Sequence, residues 1–219
     1  MEKSTWFTSD LHFWHTNIIK YQRKGFGSVE EMNETLIQNW NSVVKPHDEI
    51  YILGDMFFCG VGKAQEIMGR LSGDKKLITG NHDRRMASSV KRMFSWVKDA
   101  YPLKVNHPKY KGIIELLHYP MAEWASSTHG RYHLFGHSHG KRPTANLSMD
   151  VGVDCWEYNP VHLDTILDTF EEKRESLKMM REAKESADPV MNAMGEVLED
   201  LILMTPEDFK SRVQELKGE

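Results

Sequence analysis

The hydrophobic pattern in the first half of the chain alternates between two periods. Short apolar runs bounded by polar residues predict buried strands at 4–8, 49–53 and 75–79. Apolar residues at helical spacing predict helices at 29–43, about 63–71 and 83–97. Ser28 and Glu31 form a capping-box pattern at the start of the first helix. This alternation of strands and helices predicts an α/β layered fold.

The second half of the chain contains short strands with few helices between them. These strands are predicted at 103–106, 113–117, 132–135 and 147–153. They indicate a second sheet that packs on the first. After Pro160 the pattern becomes helical again, with four apolar side chains on one face: Leu163, Ile166, Leu167 and Phe170.

A helical extension is predicted at the C-terminal end of the chain. Asp188-Pro189 begins one helix, with proline at its first position, and Thr205 begins another. We therefore divide the chain into a domain at 1–170 and a helical extension at 171–219. The extension carries apolar stripes that include Val190, Met194, Val197, Phe209, Val213 and Leu216. These stripes bury either against the main body or against another subunit, in a homo-oligomer formed through the C-terminal helices.

Composition and charge exclude several classes of protein. Of the 219 residues, 40% are hydrophobic and 27% are charged, which is ordinary for a soluble globular protein. No apolar run is long enough to span a membrane and no signal peptide is visible, so we expect a cytoplasmic protein without a membrane partner. Residues 171–219 carry 8 basic and 13 acidic side chains (−5), and the remainder carries 20 and 19 (+1). A chain that is not generally basic argues against extensive nucleic-acid binding.

Polar side chains of types that bind metals follow five of the predicted strands. In chain order they are Asp10 and His12, Asp55, Asn81, His118, and His137 and His139. Because ligands in layered α/β folds bind outside the carboxyl ends of the strands, we expect these side chains to surround one cavity. Residues i and i+2 of an extended segment point the same way, so Asp10 and His12 should face one ion together. Glycines at three of these strand ends should let the backbone turn sharply and approach closely: Gly54, Gly80 and Gly136.

The donor chemistry of this set predicts a metal centre. Carboxylate, imidazole and amide oxygen together suit Mn²⁺, Fe, Zn²⁺ or Ni²⁺ better than Ca²⁺. The donors are too many for one tetrahedral ion, and they fit two ions that share a carboxylate. A single histidine at a strand end is more often structural, but five such motifs in order make coincidence a poor explanation. We interpret the histidines outside these motifs as structural: His15, His47, His107, His129, His133 and His162.

These motifs resemble the five signature blocks of the calcineurin-like metallophosphoesterases. The matching stretches are Asp10-x-His12, Gly54-Asp55, Gly80-Asn81-His82-Asp83, His118 and Gly136-His137-x-His139. The resemblance is closest to small bacterial and phage members, whose first block often continues as it does here at His15-Thr-Asn17-Ile-Ile19. The second block lacks the acidic residue or arginine that many members carry after the aspartate. It therefore does not favour a protein phosphatase.

The resemblance implies a four-layer α/β/β/α sandwich of two mixed sheets, with a dinuclear metal site at the sheet edges and the helical C-terminal extension as an addition. It implies that the first metal is bound by Asp10, His12 and His139, and the second by Asn81, His118 and His137. Asp55 is the implied bridge between the two divalent ions, for which Mn²⁺ is the first choice. It also implies that His82 is catalytic and that Asp83 orients it, although Asp83 could also interact with a helix dipole.

The implied function is a metal-dependent phosphodiesterase that hydrolyses a small or nucleotide-like phosphate ester by attack of a metal-bridging hydroxide. In that mechanism His82 protonates the leaving group or stabilises the charged phosphoryl group, while Asp83 raises the pKa of His82 and fixes its tautomer. A phosphomonoesterase and a nuclease are enzymatic alternatives that use the same site. A non-catalytic metal-binding scaffold is the alternative from a different class.

Four basic side chains directly follow two of the blocks: Arg84, Arg85, Lys141 and Arg142. They either bind a substrate phosphate or nucleotide chain, or they are solvated side chains of a turn and a loop. Tyr119 and Trp124 follow His118 and either stack on a base or pack on the core.

Overall fold

Two β-sheets form the centre of the computed structural model, which describes residues 3–142, 147–186 and 188–203. The strands in these ranges are β1 (Thr5–Thr8), β2 (Glu49–Ile52), β3 (Asp74–Ile78), β4 (Trp96–Lys98), β5 (Ala100–His107), β6 (Tyr110–Leu117), β7 (Tyr132–Phe135), β8 (Ser148–Asp150) and β9 (Val161–His162). The α-helices are α1 (Thr16–Tyr21), α2 (Val29–Val43), α3 (Val61–Arg70), α4 (Ser88–Lys91), α5 (Leu163–Lys184) and α6 (Pro189–Leu203).

Each sheet contains both parallel and antiparallel pairs. The first sheet has the strand order β4-β3-β2-β1-β9, and the second has the order β5-β6-β7-β8. In the first sheet only the β1–β9 pair is antiparallel, and in the second only the β5–β6 pair is antiparallel. The predicted α/β sandwich of two mixed sheets with a C-terminal helical extension is therefore confirmed.

Successive side chains at 50–53, in β2 and directly after it, point alternately into two hydrophobic layers. Ile50 and Ile52 belong to the layer that includes side chains of α2 and α3. Tyr51 and Leu53 belong to the layer that includes side chains of the second sheet. This division follows from the two-residue period of a strand. Helix α5 adds three further side chains to the second layer: Ile166, Leu167 and Phe170.

Helix α2 begins and ends where the sequence predicts. Ser28 is its N-cap, and its hydroxyl oxygen accepts a hydrogen bond from the Glu31 N–H at 3.1 Å. The Glu31 carboxylate accepts one from the Gly27 N–H at 2.8 Å, one residue before the N–H that a standard capping box uses. Met32 and Trp40 lie on the buried face of the helix, so the apolar stripe docks α2 onto the first layer.

The prediction of a helix at 83–97 was wrong. After Asp83 the chain turns, forms only the short helix α4 and continues as strand β4. Strand β4 pairs in parallel with β3, and Trp96 lies opposite Lys76. Trp96 and Val97 are residue types that favour strands, and pairing with the edge of the first sheet outweighs the local helical spacing.

The helical extension is continuous with the main body. Helix α5 runs without interruption through residue 170, where we predicted a boundary. Helix α6 begins at Pro189, as the sequence predicts. It approaches α5 so closely that a Cβ on Gly195 would come 2.8 Å from the backbone nitrogen of Lys184. A small residue at 195 is therefore what allows the two helices to pack.

Part of the predicted apolar stripe of α6 lies on the surface of the described chain. Val190, Met194 and Val197 are exposed. The stripe with Phe209, Val213 and Leu216 lies outside the described residues. Within the described ranges, no helix combines the length and the apolar character that crossing a membrane would require.

A buried ion pair joins the two halves of the chain. Arg23 is only 1% exposed, and its Nε and Nη2 donate to the two carboxylate oxygens of Asp154, each at 2.8 Å. The same guanidinium donates to the carbonyl oxygens of Asp10 and Leu11. Arg23 therefore fixes the loop after β1 to the short 3₁₀ turn at Val153–Cys155.

Asp154→Ala is expected to lower the free energy of unfolding by about 3–5 kcal/mol, because it leaves the Arg23 guanidinium buried without its counter-ion. Glu34→Ala is the matched control. Glu34 and Arg70 also form a pair with two hydrogen bonds, each 2.6 Å long, but through Nη1 and Nη2 of the arginine and on the surface. Its loss should cost about 0–1 kcal/mol. Urea unfolding measures both variants, and equal losses would contradict a stabilising role for the buried pair.

Candidate metal centre

Loops that follow five strands bring the predicted donors together at one edge of the two sheets. Side-chain donor atoms lie within 4.8 Å of one another in two groups, the first being Asp10, His12 and His139 and the second Asp55, His118 and His137. Asn81 joins the second group, since its Oδ1 lies 3.1 Å from His118 Nε2. The seven predicted donors thus lie in one site.

Asp55 lies between the two groups. Its Oδ2 is 3.9 Å from His12 Nε2 in the first group and 3.6 Å from His118 Nε2 in the second. One carboxylate oxygen therefore borders both sets of imidazoles. This is the arrangement that a carboxylate shared by two cations requires.

Five of the donors have a left-handed backbone conformation: Asp10 (φ 55°), His12 (φ 51°), Asp55 (φ 55°), His137 (φ 67°) and His139 (φ 49°). We predicted that Asp10 and His12 face the same way because the chain is extended there, and that reason was wrong. Non-glycine residues are uncommon in this region and persist only where the surroundings hold them. The left-handed turns keep the donors at the strand ends instead of letting the chain run on past the sheet.

The glycines at the strand ends allow the loops to touch, as predicted. A Cβ on Gly136 would come 2.0 Å from Ser9 Oγ and 2.4 Å from Asp10 Oδ2. Gly54 has a φ of +99°, and a Cβ there would come 2.5 Å from His118 Nδ1. Any side chain at these positions would push the donor-bearing loops apart.

Two carboxylates of the centre each use one oxygen to hold a neighbouring loop. Asp10 Oδ2 accepts a hydrogen bond from the His137 N–H, and Asp55 Oδ1 accepts one from the His82 N–H, both at 2.9 Å. Among the residues that the structure describes, the other Asp10 oxygen and both ring nitrogens of His12 are buried without a hydrogen-bond partner. Because buried polar atoms normally have partners, these atoms fit a cation held between them.

Burial determines the protonation of the deep donors. It raises the pKa of Asp10 to about 8 and lowers the pKa of His12 well below its usual value. His137 is more exposed, but partial desolvation and the neighbouring His118 also lower its pKa. A neutral imidazole keeps its lone pair for a metal, and a cation beside Asp10 would favour the charged carboxylate.

Hydrogen bonds fix the ring orientation of two donor histidines. His118 Nδ1 lies 2.7 Å from the Leu53 carbonyl oxygen, and His139 Nδ1 lies 2.7 Å from the Asp154 carboxylate. With Nδ1 as the donor in each ring, Nε2 is left to bind a cation. Burial works to lower the pKa of His139, but its hydrogen bond to Asp154 and the charge of Asp10 outweigh burial, so that pKa is raised. Asp154 was not predicted as part of the site, because no spacing rule links it to His139.

Asp83 does not orient His82, and that prediction was wrong. Its carboxylate accepts hydrogen bonds from the N–H groups of Asp55 at 2.7 Å, Gly80 at 2.9 Å and Met56 at 3.1 Å. Burial raises the pKa of Asp83, although these backbone donors oppose the shift. The His82 ring lies outside this network, and its side chain is 44% exposed. Asp83 therefore ties the loop after β2 to the loop after β3.

Two aromatic side chains that were not predicted as part of the site, His15 and Phe58, lie beside it. The ring of His15 stacks on Phe58 with centroids 3.8 Å apart, and it lies 5.2 Å from the ring of His12. The Phe58 ring lies 4.4 Å from that of His82. We interpreted His15 as structural, although its motif matched the extended first block, and nothing in the sequence marked Phe58.

The remaining predicted residues lie in three kinds of place. Tyr119 borders the centre, with its ring 4.9 Å from that of His137. Trp124 is buried and donates from Nε1 to the Arg131 carbonyl oxygen at 2.8 Å, so it packs on the core. The four basic side chains that follow the blocks are all exposed: Arg84, Arg85, Lys141 and Arg142. Arg85 lines a cavity together with His82.

Comparison with known proteins identifies related sequences, but the names of these proteins describe no activity. No family model matches the chain. It is 34% identical over 179 residues to the uncharacterized protein MJ1445 of Methanocaldococcus jannaschii, covering 77% of this chain and 92% of that protein. It is 30% identical over 185 residues to the Gene 66 protein of Mycobacterium phage L5, covering 70% of this chain and 87% of that protein.

A solved structure shares the fold. The protein of unknown function AQ665 from Aquifex aeolicus matches with a TM-score of 0.63 and 25% identity, over 77% of this chain and 100% of that chain. The match with MJ1445 extends over most of both chains at an identity that shows common ancestry. The chain therefore belongs to the same protein family as MJ1445 of Methanocaldococcus jannaschii.

Proposed function

We propose that the protein is a dinuclear-metal-dependent phosphodiesterase that hydrolyses a small or nucleotide-like phosphate ester. The observation that carries this proposal is the pair of donor groups with the Asp55 carboxylate between them. Sites of this kind, with two metals, are used for displacement at phosphorus. The resemblance of the motifs to calcineurin-like metallophosphoesterases supports the same conclusion.

The donor set indicates which ions the centre would hold. The first cation would be held by Asp10, His12 and His139, the second by Asn81, His118 and His137, with Asp55 shared. Carboxylate, imidazole and amide oxygen favour Mn²⁺, with Fe, Zn²⁺ and Ni²⁺ as alternatives. When bound, two divalent cations supply activation of water at neutral pH and neutralisation of charge on the phosphoryl oxygens.

We assign proton transfer to His82. Its backbone N–H is held by Asp55 Oδ1 at 2.9 Å, whereas its ring is 44% exposed with Nε2 3.8 Å from Asp55 Oδ2. The residue is thus anchored through its main chain, and its imidazole faces the rim of the centre. From there it can protonate a leaving alkoxide or donate a hydrogen bond to a phosphoryl oxygen.

The proposal is tested by comparing hydrolysis of bis-p-nitrophenyl phosphate and p-nitrophenyl phosphate with and without Mn²⁺. We expect turnover that requires the metal and is faster for the diester. Faster turnover of the monoester would make the protein a phosphomonoesterase with the same centre. A lack of turnover with any phosphate ester at saturating metal would contradict an enzymatic function and favour a metal-binding scaffold.

His82→Ala is expected to lower turnover about 10²–10⁴-fold, because a general acid is lost. Metal content and thermal midpoint should not change, since the ring is exposed and is not among the metal donors. His47→Ala is the control, because His47 has a similar exposure of 40% but precedes β2, at the opposite end of the strand from Asp55. Equal turnover of the two variants would remove His82 from the mechanism.

Asp55→Asn is expected to lose bound Mn²⁺ and the stabilisation that the metal gives to the native state. A ligand that binds only the folded protein adds about 2.7 kcal/mol at a concentration of 100 times its Kd. Thermal unfolding with and without Mn²⁺, together with elemental analysis, measures this loss. Asp168→Asn removes an exposed carboxylate as a control. Full metal content in Asp55→Asn would show that Asp55 does not bridge the ions.

A further inference from the structure

A cavity of about 520 Å³ lies beside the metal centre, between the start of α3 and the segment after β3. Its wall is mainly apolar and includes Phe57, Phe58, Val61, Ala64, Met86 and Val90. His82 and Arg85 also line it. An apolar cavity of this size with a few polar groups is typical of small-molecule binding sites.

His82 connects this cavity with the metal centre. Its ring contributes to the cavity wall, and its Nε2 lies 3.8 Å from Asp55 Oδ2. His82 therefore borders both spaces. A phosphoryl group held at the centre could direct its organic substituent towards the cavity.

The cavity wall favours a flat, uncharged group. The Phe58 ring lines the cavity, and its orientation is held by the parallel ring of His15 (3.8 Å, 5°) and by the ring of His82 at 4.4 Å. Among the described residues of the wall, the acidic one is Asp83, whose oxygens both accept backbone N–H groups. The wall therefore offers no available carboxylate to a cationic ligand. Arg85 is exposed and can donate to a carbonyl on a ring.

We propose that this cavity holds the organic part of the phosphate ester and that this part carries a planar, uncharged ring, such as a nucleobase or an aryl group. The ring packs against the apolar wall that includes Phe58 while the phosphoryl group lies at the metal centre. This inference rests on the proposed function, because it needs the metal centre to hold the phosphoryl group.

Gly60 offers a way to fill the cavity without disturbing its wall. It lines the cavity, its φ is −70°, and a Cβ built on it meets no atom within 4 Å. Gly62 is the matched control, since a Cβ there also meets nothing within 4 Å and it is absent from the wall. Gly60→Phe should therefore occupy the cavity, whereas Gly62→Phe should place the same side chain outside it. Val61→Trp is a second filling variant, at a position that is 41% exposed.

The experiment measures binding of phenylphosphonate and methylphosphonate to the Mn²⁺-loaded protein by calorimetry. Both ligands carry the same metal-binding group and neither is hydrolysed, so turnover is not needed. We expect the wild type and Gly62→Phe to bind phenylphosphonate about 10- to 100-fold more tightly, because burial of the ring adds apolar contact. Gly60→Phe and Val61→Trp should lose most of this preference and keep their affinity for methylphosphonate and Mn²⁺.

Three other results distinguish failure of this inference from failure of the proposed function. Equal affinity of the wild type for the two phosphonates would overturn the cavity assignment, while the metal centre and the hydrolysis assay would stand. A preference that survives in both filling variants would also overturn it, because the ring must then lie elsewhere. If the protein binds neither Mn²⁺ nor either phosphonate, the proposed function fails and this inference fails with it.

Discussion

Carboxylate oxygens that accept backbone N–H groups from neighbouring loops hold the rim of the sandwich together. Asp83 accepts three such bonds across the loops after β2 and β3. Asp10 binds the loop after β7, and Asp55 binds the loop after β3. Because buried N–H groups need hydrogen-bond acceptors, each of these loops depends on an aspartate that lies in the loop after another strand. The donors are consequently brought to one place by contacts within the protein chain itself.

Much of the fold and most of the candidate centre could be predicted, because their signals are local. The apolar runs that become β1, β2 and β3 each end in polar residues, and those polar residues form the centre. The limits of α2 follow from the Ser28 cap and a regular apolar stripe. Proline at the first position of α6 is equally local, since it needs only the fixed φ of its own ring.

What the sequence did not reveal depends on contacts between distant residues. Arg23 and Asp154 are 131 positions apart, and neither lies in a recognisable motif. Strand β4 exists because it pairs with β3, which overrides the helical spacing of its residues. The role of Asp83 depends on the path of the loop after β2, and adjacency in sequence wrongly suggested that it serves His82. The left-handed conformation of His137 and its fellow donors is uncommon for residues other than glycine, so residue type did not reveal it.

Each donor group has two buried members and one that is less buried. The less buried members are His139, which is half-buried, and His137, which is exposed. Both lie in the loop after β7, whereas the buried donors belong to the loops after other strands. Small solutes would therefore reach both halves of the centre by passing a single loop.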